Sequence, residues 1–353
     1  MRDFQRSLRT GASIGDVAKI ANVSVTTVSR VLSGSAHPVS KEARARVLEA
    51  ARELNYSPSA LAKAMVTRDT HIVGVIIGDA VDPYFAAIIR GVEDQARRHG
   101  YLVIVCNSDR LPDIELRYLA TLNDYRVDGV IFAGGGLVDD DYVRDIREAL
   151  QVYYEREAVC VSLGKHLFPS FSVVVDNAQI AVAGVEHLIG LGHRAIAYIS
   201  GPRMLTTTQL RLSGYEAAMQ SHGLPLRPQY VLSGNYNYES GGEAARTIAR
   251  LTPRPTAVLA SNDLMAIGCL AGFKELGIRA PDEISVMGVD DVHMSQFVDP
   301  PLSTVAIPLM QMGATGMECL IKLRNGELTH EQSITLPHKL VVRKSTAPPR
   351  PRA

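Results

Sequence analysis

Two short segments near the start of the chain each carry one apolar stripe. In the stretch DVAKIANVSVTTVSRVLSG, Asp16 to Gly34, apolar residues recur every three to four positions, which predicts two amphipathic helices. The residues between them, Ala21 to Ser24, suit a tight turn because Asn tolerates left-handed backbone and Ser is a favoured N-cap. A third helix is predicted from Ser40 to Leu54. The exposed face of the second predicted helix carries Val25, Thr26, Ser29 and Arg30.

From residue 71 onwards the pattern changes to short apolar runs that alternate with amphipathic segments. The run HIVGVIIG is followed by the helix-like YFAAIIRGVEDQARRHG and then by a second run, YLVIVCN. The alternation continues as far as ISVMGVD and predicts parallel sheets covered by helices. Two segments, GVEDQARRHG at 91–100 and GYEAAMQSHG at 214–223, repeat the same glycine, glutamate and His-Gly spacing. We therefore expect two similar α/β lobes with a cleft between them.

Composition adds a charge asymmetry. The chain has 353 residues and a formal net charge of zero, but the first 70 residues hold eleven Lys and Arg against six Asp and Glu. A basic head on an acidic body suggests a polyanion-binding module joined to another domain. No apolar run approaches the roughly 18 residues that span a bilayer, and the N-terminus lacks the apolar core of a signal peptide. We therefore expect a cytoplasmic protein that does not contact membranes.

Polar residues after the predicted strands are candidates for a ligand site, because ligands bind beyond the carboxyl ends of parallel strands. These residues are Asp79, Asp82, Tyr84, Phe85, Thr206, Thr207, Thr208, Arg211, Asn262, Asp263, Asp290 and Asp291. Such a mixture of carboxylate, amide, guanidinium and aromatic groups suits a small polar molecule. An Asp or Asn in this place also often caps the next helix, so capping is the alternative role for each carboxylate and amide.

Catalytic, cofactor and metal signals are weak. GASIG at 11–15 matches G-x-S-x-G but follows no predicted strand, and the phosphate-binding and dinucleotide-binding glycine patterns are absent. AGGG at 133–136 has no partnering Lys and is interpreted as a tight turn. The four cysteines include no CxxC pair, and Cys106 and Cys160 are predicted to be buried. We predict no enzymatic activity, no cofactor and no metal.

The combined pattern resembles the lac repressor (LacI–GalR) family of transcriptional regulators. SIGDVAKIANVSVTTVSRVLSG and VSKEARARVLEAARELNYSPSALAKAM resemble the DNA-binding head of that family, and DPYF, GHRAIAYISGP, SNDLMAIG and PDEISVMGVDD resemble its sensor core. The resemblance covers nearly the whole chain. It implies a small all-α helix-turn-helix head and a two-lobed, periplasmic-binding-protein-like α/β core of parallel sheets flanked by helices.

The resemblance also implies a domain organisation. The expected parts are a helix-turn-helix domain at 12–56, a hinge helix and linker at 57–70, and an effector-binding core at 71–345; composition predicts a disordered tail at 346–353. The chain is expected to cross between the lobes near Gly192, Ala306 and Asn325. The expected lobes are then 71–191 with 308–325, and 193–305 with 331–345.

Functional residues follow from the same resemblance. In the head, phosphates and base edges in the major groove would be contacted by Ser24, Val25, Thr26, Thr27, Ser29 and Arg30. The hinge would enter the minor groove through Ser59, Ala62 and Met65, where Met65 replaces the usual Leu wedge. The effector cleft would be lined by Tyr84, Phe85, Asp176, Arg211, Tyr236, Asn262 and Asp290.

The implied partners are a pseudo-palindromic double-stranded operator, a small polar effector such as a sugar or related metabolite, and a second copy of the chain. The protein would then be a nucleoid-associated repressor. Two other classes share part of the pattern. A transport-associated solute-binding protein would have the core but not the basic head, and a sugar-processing enzyme would need a paired acid and base.

Overall fold

The computed structural model describes residues 12–32, 37–56 and 69–350. The chain divides into two compact units, residues 1–70 and 71–353. The predicted hinge contacts Ser59, Ala62 and Met65 lie outside the described residues. In the part of the chain that the structure describes, no helix is long and apolar enough to cross a membrane.

The described residues of the head form three short helices, α1 (Ile14–Ala21), α2 (Val25–Leu32) and α3 (Lys41–Glu53). Ser13 and Asp16 form a capping box at the start of α1, and Asn22 ends this helix in the left-handed conformation with φ 50°. The Ser40 hydroxyl caps α3 by accepting a hydrogen bond from Ala43 N at 3.1 Å. The prediction of three helices with an Asn turn and Ser caps is therefore confirmed. The apolar stripes of the three helices meet in one small core.

The core unit alternates strands and helices. In chain order its elements are β1 (Ile72–Ile77), α4 (Pro83–Arg98), β2 (Leu102–Asn107), α5 (Pro112–Asp124), β3 (Gly129–Ala133), α6 (Asp140–Glu155), β4 (Val159–Leu163), β5 (Phe171–Val175), α7 (Asn177–Gly190), β6 (Ile196–Ser200), α8 (Thr206–Ser221), β7 (Val231–Ser233), α9 (Tyr238–Ala249), β8 (Ala257–Ala260), α10 (Asp263–Glu275), β9 (Ser285–Asp290), β10 (Ser303–Ala306), α11 (Leu309–Arg324), β11 (Ser333–Leu336) and β12 (Lys339–Val341). Short 3-10 helices occur at Pro228–Tyr230 and His293–Gln296.

These strands form two six-stranded sheets, one in each lobe. The strand order is β11-β5-β4-β3-β1-β2 in the first lobe and β12-β10-β9-β8-β6-β7 in the second. Every neighbouring pair is parallel except β10 with β12. Buried strands of this kind carry continuous apolar runs because helices cover both faces. The predicted fold class is confirmed.

Two of the three predicted crossings between the lobes are wrong. Helix α7 packs along α8 in the second lobe, where a Cβ at Gly214 would lie only 2.1 Å from Ala178 O. The first crossing is therefore at Asp176, not near Gly192. Strand β11 pairs in parallel with β5, with Ser333 beside Ser172, so the last crossing follows β11 at 337–338 rather than Asn325. The second crossing, between β10 and α11, is close to the predicted position.

The predicted disordered tail is also wrong for residues 346–350. Ser345 is fully buried and donates a hydrogen bond to Val286 O at 2.6 Å. The Thr346 hydroxyl lies 3.0 Å from His187 Nε2, and Ala347 O accepts a hydrogen bond from the Ser285 hydroxyl at 3.0 Å. Hydroxyl and imidazole partners in the second lobe therefore order a segment whose Pro-rich composition suggested disorder.

Helices α4 and α11 cross in the first lobe with almost no space between their backbones. A Cβ at Gly91 would lie 2.0 Å from Met310 O, and a Cβ at Gly313 would lie 2.0 Å from Ile88 O. Any larger side chain at either glycine would push the helices apart. A segment late in the sequence therefore completes the packing of the first lobe.

Candidate functional site

The exposed face of α2 is a candidate surface for DNA. Val28 and Val31 anchor this helix in the core of the head, whereas Val25 is 48% exposed. Thr26, Ser29 and Arg30 are exposed as well. Helix α2 is therefore packed on one face and exposes methyl groups, hydroxyl groups and one guanidinium on the other. These groups suit base edges in a major groove.

The two remaining predicted contacts of the head lie at the start of α2. The Ser24 hydroxyl accepts a hydrogen bond from Thr27 N at 3.1 Å and lies 2.9 Å from the Thr27 hydroxyl. Ser24 is therefore the N-cap of α2, and it lies where free backbone N–H groups favour a phosphate. Its capping role and its predicted phosphate contact are compatible, since the cap uses an acceptor lone pair of the hydroxyl whereas a phosphate oxygen would accept its O–H.

The core unit contains a cavity between its two lobes, at the carboxyl ends of the parallel strands. The first lobe lines it with Ile76, Gly78, Asp82, Tyr84, Phe85, Arg110, Glu115, Phe132, Ala133, Gly134, Gly135, Leu137 and His166, and the second with Leu205, Thr207, Arg211, Tyr236, Asn262 and Asp290. Six of the seven predicted cleft residues are therefore brought together. Asp176 is not among them, because it is exposed at the first crossing and caps α7 by accepting from Gln179 N at 3.0 Å.

Arg211 and Asp290 form a buried ion pair on the second-lobe wall. Both side chains are 3% exposed, and Arg211 Nη2 donates to Asp290 Oδ1 at 3.3 Å. Arg211 also donates to Asn177 Oδ1 at 2.8 Å and to Ser261 O. Burial raises the pKa of Asp290 well above its ordinary value, and the neighbouring guanidinium opposes that rise. The pair is held rigidly, since three acceptors fix the orientation of one guanidinium.

Two residues of the second-lobe wall have strained backbone conformations. Asp290 has φ 113° and Tyr236 has φ 59°, both in the region that favours glycine. Residues held in such conformations cost on the order of 1–3 kcal/mol and concentrate at functional sites. Asn262 secures Tyr236, because its amide donates to Tyr236 O at 2.9 Å while its oxygen caps α10 through Met265 N. Asn262 therefore both caps a helix and shapes the cavity.

The first-lobe wall combines aromatic rings with a carboxylate and a guanidinium. Tyr84 and Phe85 pack edge to face with centroids 5.1 Å apart. Asp82 caps α4 through Tyr84 N at 3.0 Å, and burial raises its pKa to about 6. Arg110 Nη2 lies 3.9 Å from Asp82, and its guanidinium is 5.8 Å from the ring centroid of Tyr236 in the other lobe. Arg110 thus approaches both walls.

Three ionisable lining residues, Arg110, Glu115 and His166, are missing from the predicted site. Arg110 follows β2, so the rule that selected the other strand-end residues would have found it. His166 follows β4 in the same way and donates through Nε2 to Gly134 O at 3.1 Å. Glu115 lies in the first turn of α5, and no strand-end rule would identify it.

The lobes also touch directly beside the cavity, through residues 136–138 and 204–206, which we call the interlobe bridge. Val138 N donates to Met204 O at 2.7 Å, and Thr206 N donates to Gly136 O at 2.9 Å. The Thr206 hydroxyl donates to Lys165 O at 2.6 Å. Backbone hydrogen bonds therefore hold the lobes close together at this edge of the cleft.

Two glycines, Gly135 and Gly136, permit close approaches at the interlobe bridge. A Cβ at Gly135 would lie 2.3 Å from the Thr207 hydroxyl oxygen and 2.9 Å from Thr207 N. A Cβ at Gly136 would lie 2.8 Å from His166 Nδ1. The interpretation of AGGG as a tight turn is therefore incomplete, because Gly135 permits the second lobe to approach.

Metal and thiol chemistry have little support in the described ranges 12–32, 37–56 and 69–350. Within them, no group of three or more His, Cys, Asp or Glu side chains could hold a metal ion. All four cysteines are buried, as predicted for Cys106 and Cys160. The candidate sites are thus a polar helix face in the head and an enclosed cavity in the core.

Comparison with known proteins gives matches to both units. The family of bacterial regulatory proteins, lacI family, matches residues 13–59, and the periplasmic binding protein-like domain matches residues 185–346. Catabolite control protein A of Priestia megaterium is 34% identical over 95% of this chain and 99% of its own. The HTH-type transcriptional repressor CytR of Escherichia coli is 32% identical over 96% of this chain and 97% of its own.

A solved structure of the lac repressor dimer, bound to operator and the anti-inducer ONPF, is similar throughout. It has a TM-score of 0.83 and 28% identity, and the match covers 96% of this chain and 100% of that chain. A complex of the transcriptional regulator CelR with cellobiose has a TM-score of 0.70 and 29% identity, covering 95% of this chain and 99% of the other.

A helix-turn-helix head followed by a two-lobed periplasmic-binding-protein-like core defines a class of DNA-binding transcriptional regulators. The chain belongs to the lacI family of bacterial regulatory proteins, as its sequence resemblance predicted. Of the two relatives, CytR is named as an HTH-type transcriptional repressor.

Proposed function

We propose that this protein is a repressor that binds a pseudo-palindromic operator as a homodimer. Its affinity for the operator falls or rises when a small polar effector enters the cavity. One head per half-site is expected, because a single small head buries too little surface for tight specific binding. The lac repressor structure that resembles this chain is a dimer bound to operator and a small molecule, which supports the proposal.

The observation that carries the proposal is the cavity itself, since its polar groups come from both lobes. Arg211 and Asp290 belong to the second lobe, whereas Tyr84, Phe85 and Arg110 belong to the first. A ligand that contacts both walls has different affinities for open and closed arrangements, and it therefore shifts the population of lobe angles.

Transmission to DNA would pass through the linker. Residues 57–68 connect the head to β1, so a change in lobe angle across a dimer would alter the separation of the two linkers. Very short helices are marginal alone, and a small separation would melt a hinge helix and remove its minor-groove contact. Because such coupling is reciprocal, operator DNA must change effector affinity by the factor by which effector changes operator affinity.

The test uses operator duplexes obtained by selection with the purified protein, and a thermal-shift screen of sugars, nucleosides and their phosphates. Asp290→Asn should retain operator binding and lose the effector response, because it removes the charge that orients Arg211. Asp140→Asn, an exposed carboxylate in α6, is the matched control and should respond normally. An Asp290→Asn protein with wild-type effector response would contradict the cavity assignment.

A further inference from the structure

One acidic residue of the cavity lining is Glu115, in the first turn of α5. Its Oε1 accepts a hydrogen bond from the Ser108 hydroxyl at 3.1 Å, and its Oε2 accepts one from the Tyr142 hydroxyl at 2.5 Å. Both donors are neutral, and none of the ion pairs in the described part of the chain includes Glu115. Each carboxylate oxygen keeps a free lone pair.

Asp82 is the second carboxylate at the first-lobe end of the cavity. Its side chain is 6% exposed, and its Oδ1 accepts from Tyr84 N. Its Oδ2 lies 3.9 Å from Arg110 Nη2, which is beyond hydrogen-bonding distance. Asp82 therefore also keeps an oxygen available to a ligand, and Arg110 compensates only part of the negative charge at this end.

The other ionisable groups of the cavity do not supply a positive excess. Arg211 is paired with Asp290, so that wall is close to neutral. Burial lowers the pKa of His166 to about 4, so the imidazole is uncharged at neutral pH. The cavity lining holds three carboxyl groups and two guanidinium groups, and therefore a formal excess of one negative charge.

The pKa of Glu115 lies above its ordinary value, although local interactions limit the rise. Burial raises the pKa of Glu115, whereas the hydrogen bonds from Tyr142 and Ser108 oppose this rise. Its place in the first turn of α5 also favours a negative charge, because the helix dipole is positive there. For Asp82, a pKa of about 6 leaves most molecules ionised above pH 7.

We propose that Glu115 and Asp82 make the cavity selective for an uncharged, hydroxyl-rich effector and exclude effectors that carry a phosphate or carboxylate group. Hydroxyl groups of a ligand can donate to the free lone pairs of both carboxylates while Arg110 donates back to hydroxyl oxygens. An anionic group would lie beside like charges in a poorly hydrated site, where repulsion is strong. The proposal rests on the cavity being the effector site.

The electrostatic character of the cavity can be measured without knowing the effector. Ala133→Cys places one thiol at the end of β3, in the cavity lining, while the native cysteines are buried. In the full-length protein at about pH 8, alkylation rates by neutral iodoacetamide and anionic iodoacetate are compared with those of the uncharged thiol 2-mercaptoethanol. We expect the ratio of iodoacetate to iodoacetamide rates to be about fivefold lower in the protein, as one nearby charge predicts.

Adding Glu115→Gln to the reporter should raise that ratio about fivefold, and Asp82→Asn should change it in the same direction. Any change in thiol reactivity common to both reagents cancels in the ratio. Asp113→Asn is the matched control, because Asp113 is an exposed carboxylate in the same first turn of α5, and it should leave the ratio within twofold. A ratio equal to that of 2-mercaptoethanol, or one unaffected by both cavity variants, would overturn the proposal.

Matched ligands provide the second measurement. The probes are ribose with ribose 5-phosphate, glucose with glucose 6-phosphate, and adenosine with its monophosphate, each tested for its effect on Tm. The neutral member should raise Tm more in any pair that binds. A larger rise in Tm with the anionic member would refute the charge selectivity but not the proposed regulatory function. Failure of the protein to bind operator DNA would refute the proposed function but not the charge selectivity.

Discussion

Gly135→Ala should open the cleft between the lobes. The new methyl group would lie 2.3 Å from the Thr207 hydroxyl oxygen, which can rotate away, but also 2.9 Å from Thr207 N, which cannot. Contacts below 3.0 Å to backbone are not tolerated in a packed interior. The start of α8 must therefore move away from residues 134–136, and the interlobe bridge moves with it.

The magnitude follows from the hydrogen bonds that this movement breaks. Two of these hydrogen bonds lie in the interlobe bridge, donated by Val138 N and Thr206 N, and a third runs beside it from the Thr206 hydroxyl to Lys165 O. At about 0.5–1.5 kcal/mol each, their loss disfavours the closed arrangement by about 1.5–4.5 kcal/mol. If the closed arrangement of the lobes is favoured by less than this amount in the wild type, the open arrangement becomes the more populated one in Gly135→Ala.

Small-angle X-ray scattering of the core unit, residues 71–353, is the assay. Gly135→Ala should increase the radius of gyration, and Thr206→Val, which removes only the hydroxyl hydrogen bond, should have a smaller effect in the same direction. Gly190→Ala is the control, because a Cβ there meets nothing within 4 Å. Scattering of Gly135→Ala that superimposes on the wild-type curve would refute the reasoning.

Three other expectations concern DNA contact, pH and assembly. Arg30→Ala should weaken specific binding by roughly 1–3 kcal/mol and relax preference at one base position; uniform weakening in a binding-site selection would instead indicate a phosphate contact. Because the pKa of Asp82 rises from 3.8 unfolded to about 6 folded, its contribution to stability is complete below pH 4 and is lost as pH rises through 6. The free energy of unfolding of the wild type, measured in urea, should therefore fall by up to about 3 kcal/mol between pH 4 and pH 8 relative to that of Asp82→Asn. A difference between the two proteins that does not change with pH would contradict this. Residues 71–353 should sediment as a dimer, and a monomer would contradict dimerisation through the core.

Local patterns predict most of the elements but not the lobe to which each one belongs. The segment of α7, AQIAVAGVEHLIG, is apolar on several faces, so periodicity alone would fit it to either lobe. Its place is decided by the close approach of Ala178 and Gly214, a contact between residues distant in sequence. Strand β11 is four residues long with a partly exposed pattern, which gives an even weaker signal.

The site residues also divide into those that local sequence patterns predict and those that only the tertiary fold places. Strand ends predicted Arg211, Asn262 and Asp290 because parallel strands bring their carboxyl ends to one edge. Asp176 follows a strand in the same way, yet its side chain faces solvent at a crossing and caps a helix. Glu115 gives no sequence signal, since only the fold brings the first turn of α5 to the cavity. Tertiary placement, rather than residue type, separates these outcomes.

The three crossings have a consequence for synthesis on the ribosome. The described core of the head is built from residues between Ile14 and Tyr56, so we expect the head to fold as soon as it emerges. The first lobe, in contrast, lacks α11 until residue 324 and β11 until residue 336, and the second lobe lacks Ser345 until nearly the whole chain exists. Neither lobe can complete its fold before translation is almost finished. A message truncated anywhere in the core would therefore release a folded DNA-binding head without the parts that control it.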